Sequence, residues 1–132
     1  MALLELVPLW YDLLCLVTSV VYGAIGAAFL AGPDTFLPGL ALLSSASASF
    51  YFRYARVHGR YRMWAHALDY VLALGTFIVV FLTAQSRYLL WLVLIALLAT
   101  ANHVNGETTV AYVTHASVHL LWCWVLLSMY RR

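Results

Sequence analysis

Apolar residues occupy five long segments of the chain, separated by short polar or turn-forming stretches. The segments cover residues 6–31, 36–54, 63–84, 88–104 and 109–130. A helix needs roughly 20 apolar residues to cross a bilayer core. The pattern predicts an all-α, polytopic transmembrane helix bundle of five spans, or of four spans if the short segment 88–104 does not cross. We expect residues 1–132 to form a single transmembrane domain.

Composition supports a membrane location. The chain is 65% hydrophobic and 9% charged, whereas soluble domains are about 45–50% apolar and about 25% charged. We therefore expect a multi-pass integral membrane protein. Its predicted partner is the lipid bilayer, with other membrane subunits or further copies of the chain as additional partners. Nucleic acid is not a predicted partner, because only four arginines are clustered and they form no extended basic stripe.

Two stretches around the second segment have distinctive compositions. The run from Ser44 to Ser49 consists only of serine and alanine, and small residues let helices approach closely in lipid. The most polar part of the chain follows, and we expect it to be an interfacial loop. It contains Arg53, Arg56, His58, Arg60 and Arg62.

We expect the polar groups inside the predicted spans to lie in one layer, at a common depth. Five crossings put the chain start, the arginine-rich stretch and the Asn105 turn on one side of the membrane. Counting helical turns from that side gives these residues a similar depth in the membrane: Asp12, Ser45, Ser49, Asp69, His103, His115 and His119. Buried charges usually face the bundle interior and are paired, which predicts a common site. The alternative is that polar residues simply prefer helix ends, where they can reach water.

His115 and His119 are the most specific candidates for metal ligands. Their i, i+4 spacing puts both imidazoles on one helix face, where they can bind one metal ion. A catalytic zinc site has three protein ligands, so a third would come from Asp69, His66 or His103. The alternative is structural, with one histidine bonded to a neighbouring helix and the other facing the headgroups.

Three parts of the chain resemble one superfamily. They are the serines of the second segment, the sequence His66-Ala67-Leu68-Asp69-Tyr70, and the sequence from Tyr112 to His119. Together they resemble the seven-span superfamily of alkaline ceramidases, adiponectin receptors and myomaker-like proteins. The resemblance implies an amide hydrolase acting on lipids. Its zinc ion would be held by one histidine of the second helix and two of the last, beside a serine and an aspartate.

Carried over to this chain, the resemblance implies three sets of site residues. His115 and His119 match the zinc ligands of the last helix, Asp69 matches the aspartate and would act as general base, and Ser45 or Ser49 matches the serine. The superfamily's second-helix histidine falls four residues after the serine, where this chain has Ser49 or Arg53. The chain would then use His66 or His103 as the third ligand, be a shortened member without activity, or be unrelated.

A second resemblance concerns haem. His58, Met63-Trp64 and Asp69-Tyr70-Val71 are spaced as in the small haem-bearing anchor subunits of succinate dehydrogenases. That resemblance implies a haem b ligand at His58 and a quinone near Asp69. A version without the motif would hold haem b between two helices, with His66 or His103 opposite His115 or His119. A structural anchor subunit of a larger complex is the third hypothesis.

Overall fold

The computed structural model describes residues 7–105 and 109–130, with the side chains of 102–105, 109 and 130 outside the description. The described residues form five helices and no strand, which confirms the all-α fold class. They are α1 (Leu9–Phe29), α2 (Phe36–Val57), α3 (Met63–Thr83), α4 (Ser86–Asn105) and α5 (Thr109–Tyr130). Each begins and ends within three residues of a predicted apolar segment.

Three of these helices are long and apolar enough to cross a membrane. They are α1, α3 and the Val110–Met129 part of α5, with mean hydropathies of 1.8, 1.9 and 1.5. The chain is therefore a transmembrane protein. The described apolar part of α4, Ser86–Ala101, is shorter. Helix α2 has 22 residues, but it carries four serines and two arginines, which lower its hydropathy.

The chain divides into two compact units at the α3–α4 connection. The first unit contains α1, α2 and α3, with α2 packed against both other helices. The second contains α4 and α5, joined by a bond from the Tyr88 hydroxyl to the Ser128 carbonyl (3.0 Å). Trp91 and Trp124 also meet edge to face, with ring centroids 4.9 Å apart. That all of these helices make one transmembrane domain stays a prediction.

The ends of α1 and α2 follow from their local sequences. Gly32 and Pro33 follow α1, and the Thr35 hydroxyl bonds the Phe29 carbonyl at 2.7 Å. After α2, Gly59 adopts φ +76°, a left-handed conformation that glycine takes without steric cost. The Arg60 amide then bonds back to the Ala55 carbonyl at 2.8 Å, which closes the helix in a Schellman-type turn.

Helices α1 and α2 approach closely where both carry glycine. A Cβ placed on Gly39 would lie 2.7 Å from the Gly26 carbonyl oxygen, and one placed on Gly26 would lie 2.8 Å from the Leu42 Cβ. Ala46 faces Gly23 in the same way further along. The prediction of close packing through small residues therefore holds for Ala46, and the glycines of both helices extend the contact.

We expect Gly39→Ala to destabilise the protein by about 1–3 kcal/mol, because the added methyl would overlap the α1 backbone. Gly75→Ala in α3 is the matched control, since nothing lies within 4 Å of a Cβ at that position. Alanine also favours helix over glycine by about 1 kcal/mol. The measurement is the free energy of unfolding in mixed detergent micelles. Equal stability of the two variants would contradict the close approach of α1 and α2.

Candidate functional site

A buried ion pair joins the first turn of α1 to the end of α2. Arg56 Nε donates to Asp12 Oδ2 at 3.1 Å, and Arg56 Nη2 donates to Asp12 Oδ1. The two side chains are only 10% and 5% exposed. Two parallel bonds between a guanidinium and a carboxylate form the strong, oriented type of ion pair. Because α1 and α2 are antiparallel neighbours, this pair sets their register.

Arg53 lies one helical turn before Arg56 and joins the same pair. Its Nη1 is 3.6 Å from Asp12 Oδ1, and the residue is 5% exposed. Its guanidinium lies 5.0 Å from the centre of the Tyr11 ring and 5.2 Å from that of the Phe52 ring. Aromatic faces attract a desolvated cation. The prediction of a loop is therefore wrong for Arg53 and Arg56, which belong to α2. Arg53 is buried and Arg56 half-buried, and Asp12 of α1 compensates their charges.

Hydroxyl groups and a second carboxylate lie next to this group of charged side chains. Ser19 Oγ lies 3.2 Å from Ser49 Oγ, and Tyr22 hydrogen-bonds to Ser19, Ser45 and Ser49. Asp69 of α3 hydrogen-bonds to Ser49 and is attracted electrostatically to Arg53 and His66. The three residues predicted as catalytic, Ser45, Ser49 and Asp69, therefore lie together in the three-helix unit.

The polar core combines acidic, basic and hydroxyl side chains. The name stands for eight buried or half-buried side chains of the three-helix unit that are linked by hydrogen bonds, ion pairs or electrostatic attraction: Asp12, Ser19, Tyr22, Ser45, Ser49, Arg53, Arg56 and Asp69. It contains two carboxylates and two guanidinium groups. An unpaired buried charge is strongly destabilising, whereas a compensated one is tolerated. These contacts favour a role in holding the helices together, since each predicted catalytic group already has partners within the core.

Other candidate residues of the first unit lie outside the polar core. The His66 ring is stacked on Phe52, with centroids 4.6 Å apart and planes 8° apart. Its Nδ1 lies 3.1 Å from the Tyr61 hydroxyl. His58 is exposed after the end of α2, and its Nδ1 is 2.9 Å from the Tyr54 carbonyl. A haem ligand normally lies in a dry cleft between helices, which the exposed position of His58 does not provide.

In the second unit, His115 and His119 face each other across one turn of α5. Their Nε2 atoms are 3.0 Å apart and their ring centroids 4.7 Å apart, and both residues are half-buried. Two nitrogens at this separation can both reach one zinc ion, because Zn–N bonds are about 2.0–2.1 Å long. The arrangement fits a metal held by two imidazoles. His103, a predicted third ligand, belongs to α4, and its side chain lies outside the described residues.

Not every member of the polar core can be recognised from the sequence. The pattern does not single out Ser19 and Tyr22, and it predicts a loop at Arg53 and Arg56. A signal was present, since Asp12 and Ser19 are seven residues apart and Ser49 and Arg53 four, spacings that share a helix face. No family model, curated protein or solved structure matches this chain.

We expect Asp12→Asn to destabilise the protein by about 3–5 kcal/mol. The substitution removes the carboxylate that forms ion pairs with Arg53 and Arg56, so their positive charges are left without this compensation. Asp34→Asn is the matched control, because Asp34 is exposed in the α1–α2 connection. Combining Asp12→Asn with Arg56→Gln should recover part of the loss, since a carboxylate and a guanidinium are then removed together. The measurement is thermal unfolding in detergent. Equal effects of Asp12→Asn and Asp34→Asn would contradict the buried ion pair.

Proposed function

We propose that this chain is a multi-pass integral membrane protein that binds a divalent metal ion, with Zn²⁺ the first candidate, through His115 and His119. The observation that carries the proposal is the 3.0 Å separation of the two Nε2 atoms. The pair belongs to a helix that is apolar enough to cross a membrane. Ionisable residues in such helices are costly and usually serve a function.

The multi-pass part of the proposal is supported by the outer surface of the first unit. Helix α2 has 22 residues, is connected by short turns to α1 and α3, and packs against both. Its two arginines face inward to the polar core, while its exposed side chains include Phe36, Leu40 and Phe50. An apolar exterior around a compensated polar interior suits a helix surrounded by lipid. We therefore propose that α2 crosses the membrane together with α1 and α3.

The metal part is supported by the chemistry of the donor set. Two neutral imidazoles on one helix face bind Zn²⁺ and related transition ions, and water or further side chains complete the coordination. When bound, zinc lowers the pKa of a coordinated water to about 7 and polarises carbonyl oxygens. The resemblance to membrane zinc hydrolases agrees with this choice of metal. We limit the proposal to metal binding, because Ser45, Ser49 and Asp69 are engaged in the polar core.

Haem b ranks below zinc on geometric grounds. His115 and His119 lie on one helix face with their Nε2 atoms 3.0 Å apart, so they would not both hold one haem. A haem would therefore use one of them and a histidine of another helix. A structural anchor subunit requires no metal at all. The metal content of the purified protein therefore separates these functions.

We expect purified protein to bind Zn²⁺ and to be stabilised by it. At a free Zn²⁺ concentration a hundred times the dissociation constant, the stabilisation should be about 2.7 kcal/mol. The measurements are elemental analysis for zinc and iron, an absorption spectrum of the same sample, and the shift of the unfolding midpoint with added Zn²⁺. Binding should weaken below about pH 6, because protonated imidazole does not bind metal.

His115→Ala and His119→Ala should each abolish most of this stabilisation. His58→Ala is the control, because His58 is exposed in the α2–α3 connection of the other unit. A colourless wild-type protein that neither contains nor responds to zinc would overturn the proposal and leave the structural anchor. Iron with a Soret band would replace it with haem binding.

A further inference from the structure

A groove runs along the outer surface between α1 and α2. Its volume is about 400 Å³, within the range of about 300–1,000 Å³ typical of small-molecule sites. Six of its lining residues are Val20, Leu43, Ser47, Phe50, Tyr51 and Tyr54. From Leu43 to Tyr54 the helix rises about 16 Å. The groove is therefore long and mostly apolar.

One end of this groove meets the connection between α2 and α3. The His58 ring packs against Tyr54, with centroids 4.4 Å apart, and Trp64 packs against Tyr51, with centroids 5.7 Å apart. Tyr54 and Tyr51 line the groove. Both sides of the connection therefore contact the same end of the groove, and the connection itself carries Arg60 and Arg62.

The arginines of this connection differ from those of the polar core. Arg60 and Arg62 are exposed, and among the described residues the carboxylate of Asp12 forms ion pairs only with Arg53 and Arg56. Asp69 is buried in the polar core. The connection beside this end of the groove is therefore basic, and its two arginines form no ion pair with a described acidic residue. Guanidinium groups bind phosphate oxygens through paired, charge-assisted hydrogen bonds.

We propose that this groove binds an anionic phospholipid. One acyl chain lies along the apolar part between α1 and α2, and Arg60 and Arg62 bind the phosphate at its open end. The charge of the connection selects an anionic headgroup, since basic segments next to membrane helices attract such lipids. Trp64 and Tyr54 flank the phosphate position, as aromatic residues do at membrane interfaces. The site is independent of the proposed metal pair.

The test uses the full chain purified in a neutral detergent, with phosphatidylglycerol and phosphatidylcholine as probes. Phosphatidylglycerol should raise the unfolding midpoint in a saturable way, and phosphatidylcholine should raise it much less. Arg60→Gln combined with Arg62→Gln should weaken the apparent affinity for phosphatidylglycerol by about 30-fold, on the usual contribution of two interfacial arginines. Arg87→Gln removes an exposed arginine from the first turn of α4 and should leave the affinity unchanged.

A second pair of variants tests the groove itself. Ser47→Trp fills the groove and should abolish the effect of phosphatidylglycerol, whereas Ser44→Trp changes an exposed serine of α2 outside the lining and should not. Glycerol phosphate, which has the charge but no acyl chain, should not stabilise the protein at equal concentration. Equal stabilisation by glycerol phosphate, or an unchanged lipid effect in Ser47→Trp or in the double arginine variant, would overturn the proposal. Loss of zinc binding would leave all of these outcomes unaffected.

Discussion

The structure of the first unit depends on charge compensation in an apolar surrounding. Two guanidinium groups near the end of α2 can be buried only if negative charges reach them from other helices. Asp12 comes from α1 and bonds Arg56 in two places, while Asp69 comes from α3 and is attracted to Arg53. One electrostatic requirement therefore specifies which helices are neighbours and fixes their register. The glycine contact of Gly26 with Gly39 brings α1 and α2 close enough to meet it.

This compensation also separates the polar groups that hold the helices together from the groups for which we propose ligands. Inside the polar core every charge has an opposite charge nearby, and the serines and Tyr22 bond one another. Groups outside it are different. His115 and His119 contact each other through their Nε2 atoms, and Arg60 and Arg62 are exposed without a described acidic partner. The proposals for metal and lipid binding both use side chains that lie outside the polar core.

The sequence pattern predicted the positions of the helices well. It predicted less well which side chains of each helix are buried and which are exposed. Apolar runs and turn residues located five helices, because the length of each run and the glycines and prolines between runs are local properties. The pattern predicts a loop at Arg53 and Arg56, because a pattern of hydrophobicity treats any charge as exposed. A charge that a distant carboxylate neutralises behaves as part of the interior. Ser45, Ser49 and Asp69 could be predicted because they lie at similar depths along their helices. Ser19 and Tyr22 have no feature in the sequence that distinguishes them from other polar residues of a span.

The sequence alone determined that this is an all-α membrane protein, since apolar composition and segment length are set by the thickness of the bilayer core. It also determined that His115 and His119 share a face of one helix, because that follows from helical geometry. Only the tertiary structure decided that Asp12 and Arg56, 44 residues apart, form a buried pair, and that Ser49 and Asp69 join the same core. It alone decided that a groove ends beside the arginine-bearing connection. These features depend on which helix faces pack together, which no local spacing specifies.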